Sequence, residues 1–576
     1  MFHPFFFFDI FVKIFFMSEH TESLHFIEQI VEADLDAGFS ADKLRFRFPP
    51  EPNGYLHIGH VKAIALNFNL GQRFNAPVNL RFDDTNPAKE SIEYVNAIKS
   101  DIQWLGYQWA EERYASDYFD QLFAWAQELI SKGLAYVDSQ SSKDMAIQKG
   151  TPTQAGTNSP FRDTDSETNM KLFQEMADGK HEEGSLVLRA KIDMASPNML
   201  LRDPVIYRIL KKAHHRTGST WCIYPMYDWT HGESDYIEGI SHSLCTLEFK
   251  PHRDLYEWFL SNLTPLGHHY PKQREFARLN LSYTVTSKRK LAKLIEMNVV
   301  SGWDDPRMPT ISGLRRRGYT PQSLRNFVET AGISKRENII DASLLEFCVR
   351  EDLNTKASRV MAVLDPVKLV ITNYPEGATE MLEAENNPED PSKGSRLMPF
   401  SKNLFIERDD FKEEANRKYF RLTLGKEVRL KNGYIIEGQS VIKDAEGTIT
   451  EIHCTYDPDS KSGSGSEASQ RKVKGTIHWV NQATAVAAQV NLYDRLFSDE
   501  SPDQHKEQDF SDFINEDSLK QITAQVEPSL VNLTPGTNVQ FQRLGYFVTD
   551  TDSTSDNLIF NKTVGLRDTW AKKGSN

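Results

Sequence analysis

Cysteine is scarce in this sequence. Its 576 residues include four cysteines, Cys222, Cys245, Cys348 and Cys454, and no two of them form a Cys-x-x-Cys pair. Scattered single thiols supply neither a disulfide framework nor the paired ligands of a structural zinc site. The scarcity therefore predicts a protein of a reducing compartment, the cytoplasm, without a structural metal.

An excess of basic residues is also lacking. Lysine and arginine together number 67 against 81 aspartates and glutamates, which leaves a formal net charge of -14. This balance excludes a uniformly basic nucleic-acid-binding protein, so any contact with RNA requires local basic patches on an acidic body. A chain of this length is expected to hold about three to five domains.

Apolar runs long enough to span a bilayer are missing as well. The first sixteen residues hold eight phenylalanines, but Asp9 and Lys13 interrupt them, and no small-residue cleavage site follows. We therefore expect neither a signal peptide nor a membrane anchor, and no membrane partner. Residues 1–16 are expected to be a non-native or disordered extension ahead of an ordinary start at Met17.

What the sequence does contain is a strand, turn and helix pattern at residues 44–68. Apolar and basic residues alternate up to Phe48, as in a half-buried strand, and the prolines that follow forbid further strand pairing. After Gly59, apolar residues recur at helical spacing. The unpaired N–H groups of that helix start are expected to bind an anion, with His57 and His60 as donors beside them. Taken alone, the two histidines would more simply be cap or core residues.

The whole segment from Pro49 to His60, Pro-Pro-Glu-Pro-Asn-Gly-Tyr-Leu-His-Ile-Gly-His, resembles the signature of the class I aminoacyl-tRNA synthetases. Its extended form is similar to that of the glutaminyl and glutamyl branch, and the resemblance covers residues 22 to about 573. It implies an α/β fold: a Rossmann-like class I synthetase catalytic domain with an inserted acceptor-binding domain, a helical subdomain and two C-terminal β-barrels. It also implies a monomeric enzyme that uses ATP with Mg2+.

A second family signature follows within Tyr283–Leu291. Ser287 and Lys288 match the family's Lys-Met-Ser-Lys-Ser loop, whose other positions are replaced here by Val285, Thr286 and Arg289. A flexible ammonium group can follow the charge that moves between phosphates during the reaction. The resemblance assigns catalysis to His57, His60 and Lys288. The ATP-contacting residues that it implies are Glu51, Pro52, Asn53, His57, Ile58, Gly59, His60, Val61, Lys62, Ala63, Thr246, Arg278, Leu279, Thr286, Ser287 and Lys288.

A strand that ends in two carboxylates, Asn79–Asp84, is expected at the edge of the parallel sheet where ligands bind. From the residues alone, these carboxylates could cap a helix, bind a metal or hold an ammonium group. The resemblance assigns Asp83 to the α-ammonium group of the amino acid, with Tyr227 as its partner. Where glutamyl enzymes of this branch have arginine, this sequence has Cys245, and Gln273 is similar to a pocket residue of the glutaminyl enzymes. Because a neutral amide calls for uncharged partners, L-glutamine and tRNA(Gln) are the expected substrates.

The catalytic half is expected to be divided by an insertion. The resemblance implies a helical segment at 17–42, a Rossmann-like domain at 43–117 and 221–276, and an acceptor-end-binding insertion at 118–220. The parallel sheet is expected to resume near Ile223. A helical subdomain with the Ser-Lys-Arg loop is expected at 277–355.

From about residue 356 onward, apolar residues alternate with polar ones, which predicts β-structure. Asn432-Gly433 is a strong hairpin signal within this region. The resemblance implies two anticodon-binding β-barrels, a proximal one at 356–377 and 476–573 and a distal one at 378–475.

A barrel that reads an anticodon needs cations for phosphates and amide or planar groups for unstacked bases. The anticodon-contact candidates are Arg359, Arg421, Arg429, Lys431 and Gln540. Phe420 stands where a basic residue can occur in the family, so an altered set of contacts is expected.

Three other functions fit part of this sequence. A glutamyl-tRNA synthetase of the same architecture is the nearest alternative, and Cys245 argues against it. A nucleotidyltransferase with a similar histidine site would leave the β-rich C-terminal half unexplained. A non-catalytic RNA-binding paralogue would have no need to retain His57, His60 and Lys288.

Overall fold

The structure is a computed structural model that describes residues 24–263 and 271–568. The extension expected at residues 1–16 lies outside this range. Within it, no helix combines the length and the apolar character needed to cross a membrane.

Two groups of parallel strands frame the N-terminal half. They meet where the N–H group of Ser241 donates to the carbonyl of Arg45 at 3.0 Å. Across the combined sheet the strands are Glu112–Tyr114, Val78–Phe82, Phe46–Phe48, His242–Thr246 and Lys272–Phe276. The chain order reverses beside Phe46–Phe48, and ligands of open α/β sheets bind at such a switch point.

Helices cover this sheet and place its loops. The helix Ile58–Arg73 follows the first strand and buries Val61, Ile64 and Phe68 in the core. An N-terminal helix, Phe26–Asp36, packs through Ile27 and Val31. The remaining helices of this half are Ile92–Trp104, Tyr227–Ile237 and Arg253–Asn262.

The insertion is built on an antiparallel sheet. Its strands are Ala135–Asp138, Val187–Ala190, Val205–Ile209 and Ile223–Pro225, and its helices are Phe119–Ser131, Ser142–Gln148 and Ser166–Ala177. The expectation that the parallel sheet resumes near Ile223 is wrong, because Ile223–Pro225 pairs antiparallel with Val205–Ile209. The parallel sheet resumes only at His242. The apolar pattern of a strand does not predict which other strand it pairs with.

Helices dominate the segment that follows. They are Lys288–Glu296, Ile311–Arg316, Pro321–Ala331 and Ala342–Lys356, and the short strands Asn280–Leu281 and Ile339–Ile340 pair in parallel beside them. Lys288 is the first residue of its helix, so the second signature lies at a loop-to-helix junction.

Two barrel-like sheets of seven strands form the C-terminal part. The proximal sheet contains, in spatial order, Ser358–Val360, Asn538–Phe541, Gly545–Thr549, Leu558–Gly565, Val486–Tyr493, Leu519–Val526 and Ala362–Val363. The distal sheet contains Thr476–Ile477, Glu427–Leu430, Ile435–Lys443, Ile449–Tyr456, Pro366–Ile371, Asn403–Glu407 and Val480–Asn481. In each sheet the two end strands are close neighbours in the chain, which brings the sheet edges together.

The pairing moves both expected barrel boundaries. Pro366–Ile371 was expected in the proximal barrel, but it pairs with Asn403–Glu407 and Ile449–Tyr456 of the distal sheet. Residues 476–481 also belong to the distal sheet. The predicted hairpin at Asn432-Gly433 is confirmed, with Asn432 at a φ of 59°. A second hairpin, Thr379–Glu385 with Ser395–Ser401, and a short helix, Glu467–Gln470, complete the distal part.

Candidate active site

A cavity of about 880 Å³ opens at the switch point of the parallel sheet. It is lined by residues from both signatures, from the strand ends and from the insertion. The expected ATP-contacting residues in its wall are Glu51, His57, Gly59, His60, Ala63, Thr246, Arg278, Leu279, Thr286 and Ser287, and the expected glutamine-contacting residues are Asp83, Tyr227 and Cys245.

The start of the helix Ile58–Arg73 is not an open anion site. The N–H group of Ile58 donates to the Pro309 carbonyl at 2.8 Å, and that of Gly59 donates to Nδ1 of His57 at 3.1 Å. The N–H group of His60 donates to the His57 carbonyl at 2.8 Å. The expectation of unpaired donors at this helix start is therefore wrong, because the chain caps them itself.

The capping hydrogen bonds determine which ring nitrogen carries the proton in both imidazoles. Nδ1 of His60 accepts from the N–H group of His57 at 3.1 Å, and the two ring centroids lie 4.0 Å apart. Burial, followed by Lys288, lowers the pKa of His57 to about 3, and burial lowers the pKa of His60 well below its usual range. Both rings are therefore neutral. Because each Nδ1 accepts a hydrogen bond, each ring carries its proton on Nε2, which remains as a donor for a ligand.

Lys288 joins the second signature to the first. Its ammonium group donates to Oδ1 of Asn53, and its side chain packs on Gly54, where an added Cβ would lie 3.2 Å from its Cδ. Burial lowers the pKa of Lys288. The loop is therefore held closed over the first signature, with its cation beside the histidine pair.

Asp83 supplies a carboxylate in the cavity wall. Thr85 donates to its Oδ1 at 3.1 Å, and its backbone N–H donates to the Pro50 carbonyl at 3.0 Å. Burial, followed by the nearby Glu51 carboxylate, raises the pKa of Asp83 to about 7. The buried negative charge of Asp83 is poorly compensated by the protein, so the carboxylate is stabilised when an ammonium group binds beside it.

Behind Asp83 lies a buried charge network that sequence reasoning missed. Arg47 and Asp235 are fully buried and form an ion pair with an Nε–Oδ1 distance of 3.0 Å. Arg47 also donates to Ser243 Oγ at 2.6 Å and to the Leu244 carbonyl at 2.8 Å. Although burial alone would raise it, Arg47 and Arg81 hold the pKa of Asp235 well below its usual range. The network ties the first strand to the helix that carries Tyr227.

Tyr227 and Cys245 form an uncharged side of the cavity. The Tyr227 ring stacks on His231 with centroids 5.0 Å apart, and burial raises its pKa well above the usual range. Burial also raises the pKa of the Cys245 thiol, so it stays neutral, with Sγ 3.9 Å from the Arg274 carbonyl oxygen. This part of the wall offers a ligand neutral groups.

Several expected contact residues lie behind the wall rather than in it. Gln273 donates from Nε2 to the Phe249 carbonyl at 2.9 Å and to Glu275 Oε1 at 3.0 Å, so its amide supports the pocket from behind. The side chains of Ile58 and Val61 are in the hydrophobic core. Lys62 is also buried, whereas Pro52, Asn53 and Lys288 are not among the residues that line the cavity.

A loop from the proximal barrel reaches the same cavity. Residues 500–504 line it, and the N–H group of Tyr283 donates to the Glu500 carbonyl at 2.8 Å. Lys290 pairs with Asp503, and Lys293 pairs with Asp509 at 3.2 Å. The C-terminal half therefore contacts the helix that begins with Lys288, which the sequence did not reveal.

Asp84 was the second carboxylate of the expected strand end, and it lies with His214 and His215 close enough to hold a metal ion. However, Nε2 of His214 lies 2.8 Å from the Asp84 carbonyl oxygen, and its Nδ1 accepts from the N–H groups of Arg216 and Thr217, both at 3.2 Å. Asp84 itself accepts from Ser116 Oγ at 2.6 Å. Both nitrogens of His214 are thus occupied, and the group holds the loop after Asp83 in place.

Two arginines of the insertion, Arg202 and Arg208, have different surroundings. Arg202 is buried and donates to the carbonyls of Ser196, Lys149, Thr151 and Gln154 at 2.7 to 2.9 Å. It is therefore a core residue. Arg208 differs: it lines the cavity, and its buried Nε has no hydrogen-bond partner among the described residues.

The structure separates the anticodon candidates into groups. Arg359 and Gln540 are paired residues of neighbouring strands, with Arg359 donating to the Asn354 carbonyl at 2.7 Å. Arg429 donates to the carbonyls of Ser460 at 3.0 Å and Ser469 at 2.7 Å, so it braces a distal loop. Lys431 lies in the turn after the strand Glu427–Leu430, and its N–H group donates to the Ile477 carbonyl at 2.8 Å.

Arg421 instead lines a second cavity, of about 570 Å³, which lies between the barrels and is also lined by Arg317 and Glu346 of the helical segment. Arg543, which the sequence did not single out, joins it there and donates to Asp410 Oδ1 at 2.8 Å, while Nε of Arg421 lies 3.3 Å from the same oxygen. Arg543 lies in a turn with a φ of 68°, and a basic residue in a tight turn was the one available signal.

Comparison with known protein families gives matches to three models of one family. The family model for tRNA synthetases class I (E and Q), catalytic domain, matches residues 43–355. Two anti-codon binding domain models of the same family match residues 357–457 and 476–550.

Relatives match almost the whole chain. The glutamine-tRNA ligase of Rhodopirellula baltica is 56% identical over 555 residues, which are 96% of this chain and 91% of that protein. That of Alteromonas mediterranea is 54% identical over 559 residues, 97% of this chain and 99% of that protein. A crystal structure of glutamate-tRNA synthetase from Elizabethkingia anophelis is similar with a TM-score of 0.41 and 18% identity, over 55% of this chain and 71% of that one.

Proposed function

The chain belongs to the class I tRNA synthetases of the glutamate and glutamine branch, and we propose that it joins L-glutamine to tRNA(Gln). The reaction consumes ATP and releases AMP and pyrophosphate. One observation carries the proposal: the histidine pair, the Asp83 carboxylate and the neutral Cys245 wall line the same cavity. Near-full-length identity to glutamine-tRNA ligases supports it.

The first step forms glutaminyl-adenylate. Asp83 holds the α-ammonium group of glutamine, which leaves the carboxylate of the amino acid to attack the α-phosphorus of ATP, supplied as its Mg2+ complex. The Nε2–H groups of His57 and His60 donate to the phosphate oxygens as charge develops on them. Lys288 stabilises the departing pyrophosphate. Positioning and electrostatics account for the rate, since no covalent intermediate with the protein is needed.

The second step transfers glutamine to the 2′-hydroxyl of the terminal adenosine of the tRNA and releases AMP. The insertion delivers the acceptor end to the cavity. Arg208 supports this role, because its orphan Nε offers a donor to an entering phosphate at the border between the insertion and the cavity.

Selection of glutamine over glutamate rests on Cys245, whose neutral thiol lines the cavity. The side-chain carboxylate of glutamate would be desolvated there without a bidentate partner, whereas a neutral amide loses little. Arg47, the nearest buried guanidinium, is already paired with Asp235. The protein is proposed to act as a cytoplasmic monomer, with the two barrel-like sheets reading the anticodon.

Aminoacylation of total tRNA with radiolabelled glutamine and, in parallel, glutamate tests the proposal. We expect charging with glutamine only. Charging with glutamate would show the glutamyl alternative, nucleotide exchange without RNA acylation would indicate a nucleotidyltransferase, and RNA binding without either would indicate a non-catalytic paralogue.

A further inference from the structure

We propose that Phe420 is a stacking platform for one unpaired base of the bound tRNA, a role that rests on the proposed function. Its side chain is 51% exposed, on a protein whose other large aromatic residues are mostly buried. The ammonium group of Lys474 lies 5.7 Å from the centre of the ring. An exposed ring beside a cation is the arrangement that binds a base and its phosphate together.

The backbone around Phe420 is anchored to the distal sheet. A Cβ placed on Gly475 would lie 2.3 Å from the Phe420 carbonyl oxygen, so the two segments run in close contact. The N–H group of Arg429 donates to the Gly475 carbonyl at 2.9 Å, and Leu422 donates to the Asp410 carbonyl at 3.0 Å. These bonds connect Phe420 to the distal sheet on both sides. A platform needs this rigidity, because a mobile ring loses entropy when a base binds.

The charge around the ring favours RNA. Residues 417–426 carry four lysines and arginines, residues 471–474 carry three, and neither segment has an acidic residue. Arg471 is paired with Glu427 at 2.8 Å, whereas Lys472 and Lys474 are exposed on the same segment as Gly475. On a chain with a formal net charge of -14, this is the kind of local basic patch that contact with phosphates requires.

Phe420 and Arg421 serve different bases. The Arg421 side chain turns to Asp410 and the cavity between the barrels, whereas the Phe420 ring turns to Lys474. A base held in the cavity that Arg421 lines is thus a different base from one on Phe420. Because every base has a π-face, the platform contributes affinity rather than identity.

The first experiment measures binding of a tRNA(Gln) transcript to the full chain. Phe420→Ala and Phe420→Leu should each weaken the dissociation constant about tenfold, with kcat of aminoacylation within about twofold of wild type. Phe420→Trp should preserve binding. Leucine keeps apolar bulk but has no π-face, so unchanged binding by Phe420→Leu would overturn the stacking role.

The second experiment reports stacking directly. 2-Aminopurine is placed in turn at each anticodon-loop position of the transcript, and its fluorescence is read at saturating protein. At one position the emission should stay quenched with wild type and Phe420→Trp and rise with Phe420→Leu. That position should differ from the one whose emission depends on Arg421. Emission independent of residue 420 at every position, with saturation shown by gel shift, would overturn the proposal.

Matched lysine variants and an association test complete the design. Lys474→Ala should weaken binding more than Lys472→Ala, its neighbour on the same segment.

If Phe420→Leu changes the sedimentation of the free protein and leaves RNA binding intact, the ring contacts another copy of the protein, and the proposal is overturned. Charging assays on the wild type separate the proposed function from the stacking role of Phe420. Failure to charge tRNA with glutamine would contradict the proposed function, whereas quenching that depends on Phe420 would still support stacking.

Discussion

Nδ1 of His60 accepts a hydrogen bond from the backbone N–H group of His57 at 3.1 Å, and Nδ1 of His57 accepts one from Gly59. The two histidine side chains therefore cap the start of the same helix. This pairing uses the Nδ1 atoms and presents Nε2–H groups to the cavity. Helix N-termini often bind phosphate through backbone donors. Here the helix start is capped by the imidazoles, so in the reaction that we propose the two side chains, rather than the peptide groups, donate to the phosphates.

Replacing His60 by alanine should therefore remove a donor that acts on the transition state. We expect kcat for glutaminyl-adenylate formation to fall about 10²- to 10³-fold, with the KM for glutamine within a few-fold. Pyrophosphate exchange in the presence of tRNA measures both. His60→Asn, which can still donate, should lose less. A rate within a few-fold of wild type for His60→Ala would contradict the assignment.

Lys288→Ala should lower the same rate about 100-fold, since a cation near the leaving pyrophosphate is lost. Lys293→Ala is the matched control: it lies on the same helix and pairs with the exposed Asp509. Its effect should be small. If both variants lose the rate equally, the effect comes from the helix and not from the Lys288 ammonium group.

The pKa of Asp83, raised to about 7 by burial and Glu51, predicts a pH dependence of substrate binding. As pH falls below 7, the carboxylate is protonated and loses its attraction for an ammonium group. The KM for glutamine should therefore rise about tenfold between pH 8 and pH 6. Asp83→Asn should have a high KM at both pH values, and a wild-type KM that is flat across this range would contradict the role.

Asp83 also predicts a stability change of definite sign. Because its folded-state pKa lies above its unfolded value, the unfolded chain carries fewer protons there, and stability falls as pH rises from about 4 to about 7. Asp83→Asn removes this cost. The variant should melt at a higher temperature than wild type at pH 8, with the difference shrinking at pH 5. A lower melting temperature at pH 8 would show that the carboxylate is stabilised by the fold.

Cys245→Arg should shift selectivity toward glutamate, because it places a guanidinium where the wall is now neutral. The ratio of kcat/KM for the two amino acids is the informative quantity. Arg47 lies close enough for repulsion between two buried cations, so the overall rate should fall. Cys245→Ser, neutral and of similar size, should keep the glutamine preference. An unchanged ratio in a folded, active Cys245→Arg protein would contradict the role of this position.

Much of the outcome could be predicted from local sequence. The α/β class with a class I catalytic domain and C-terminal barrel-like sheets is confirmed, and so is the Asn432-Gly433 hairpin. Turn chemistry and signature residues act over short distances in the chain, so the sequence carries them. The placement of Ile223–Pro225 and Pro366–Ile371 was wrong, because the sheet that a strand joins depends on partners far away in sequence.

Arg47 shows where the sequence reaches its limit. The residue alternates with Phe46 and Phe48 as a surface residue of a half-buried strand would, yet it is fully buried against Asp235, 188 positions away. Sequence alone determined the two signatures, their order and the residue types at the cavity. Only the tertiary structure decided which charges neutralise each other, that the helix start is capped by its own histidines, and that a barrel loop meets Lys290. Burial makes an unpaired charge so costly that these distant partners must meet, and only the folded chain brings them together.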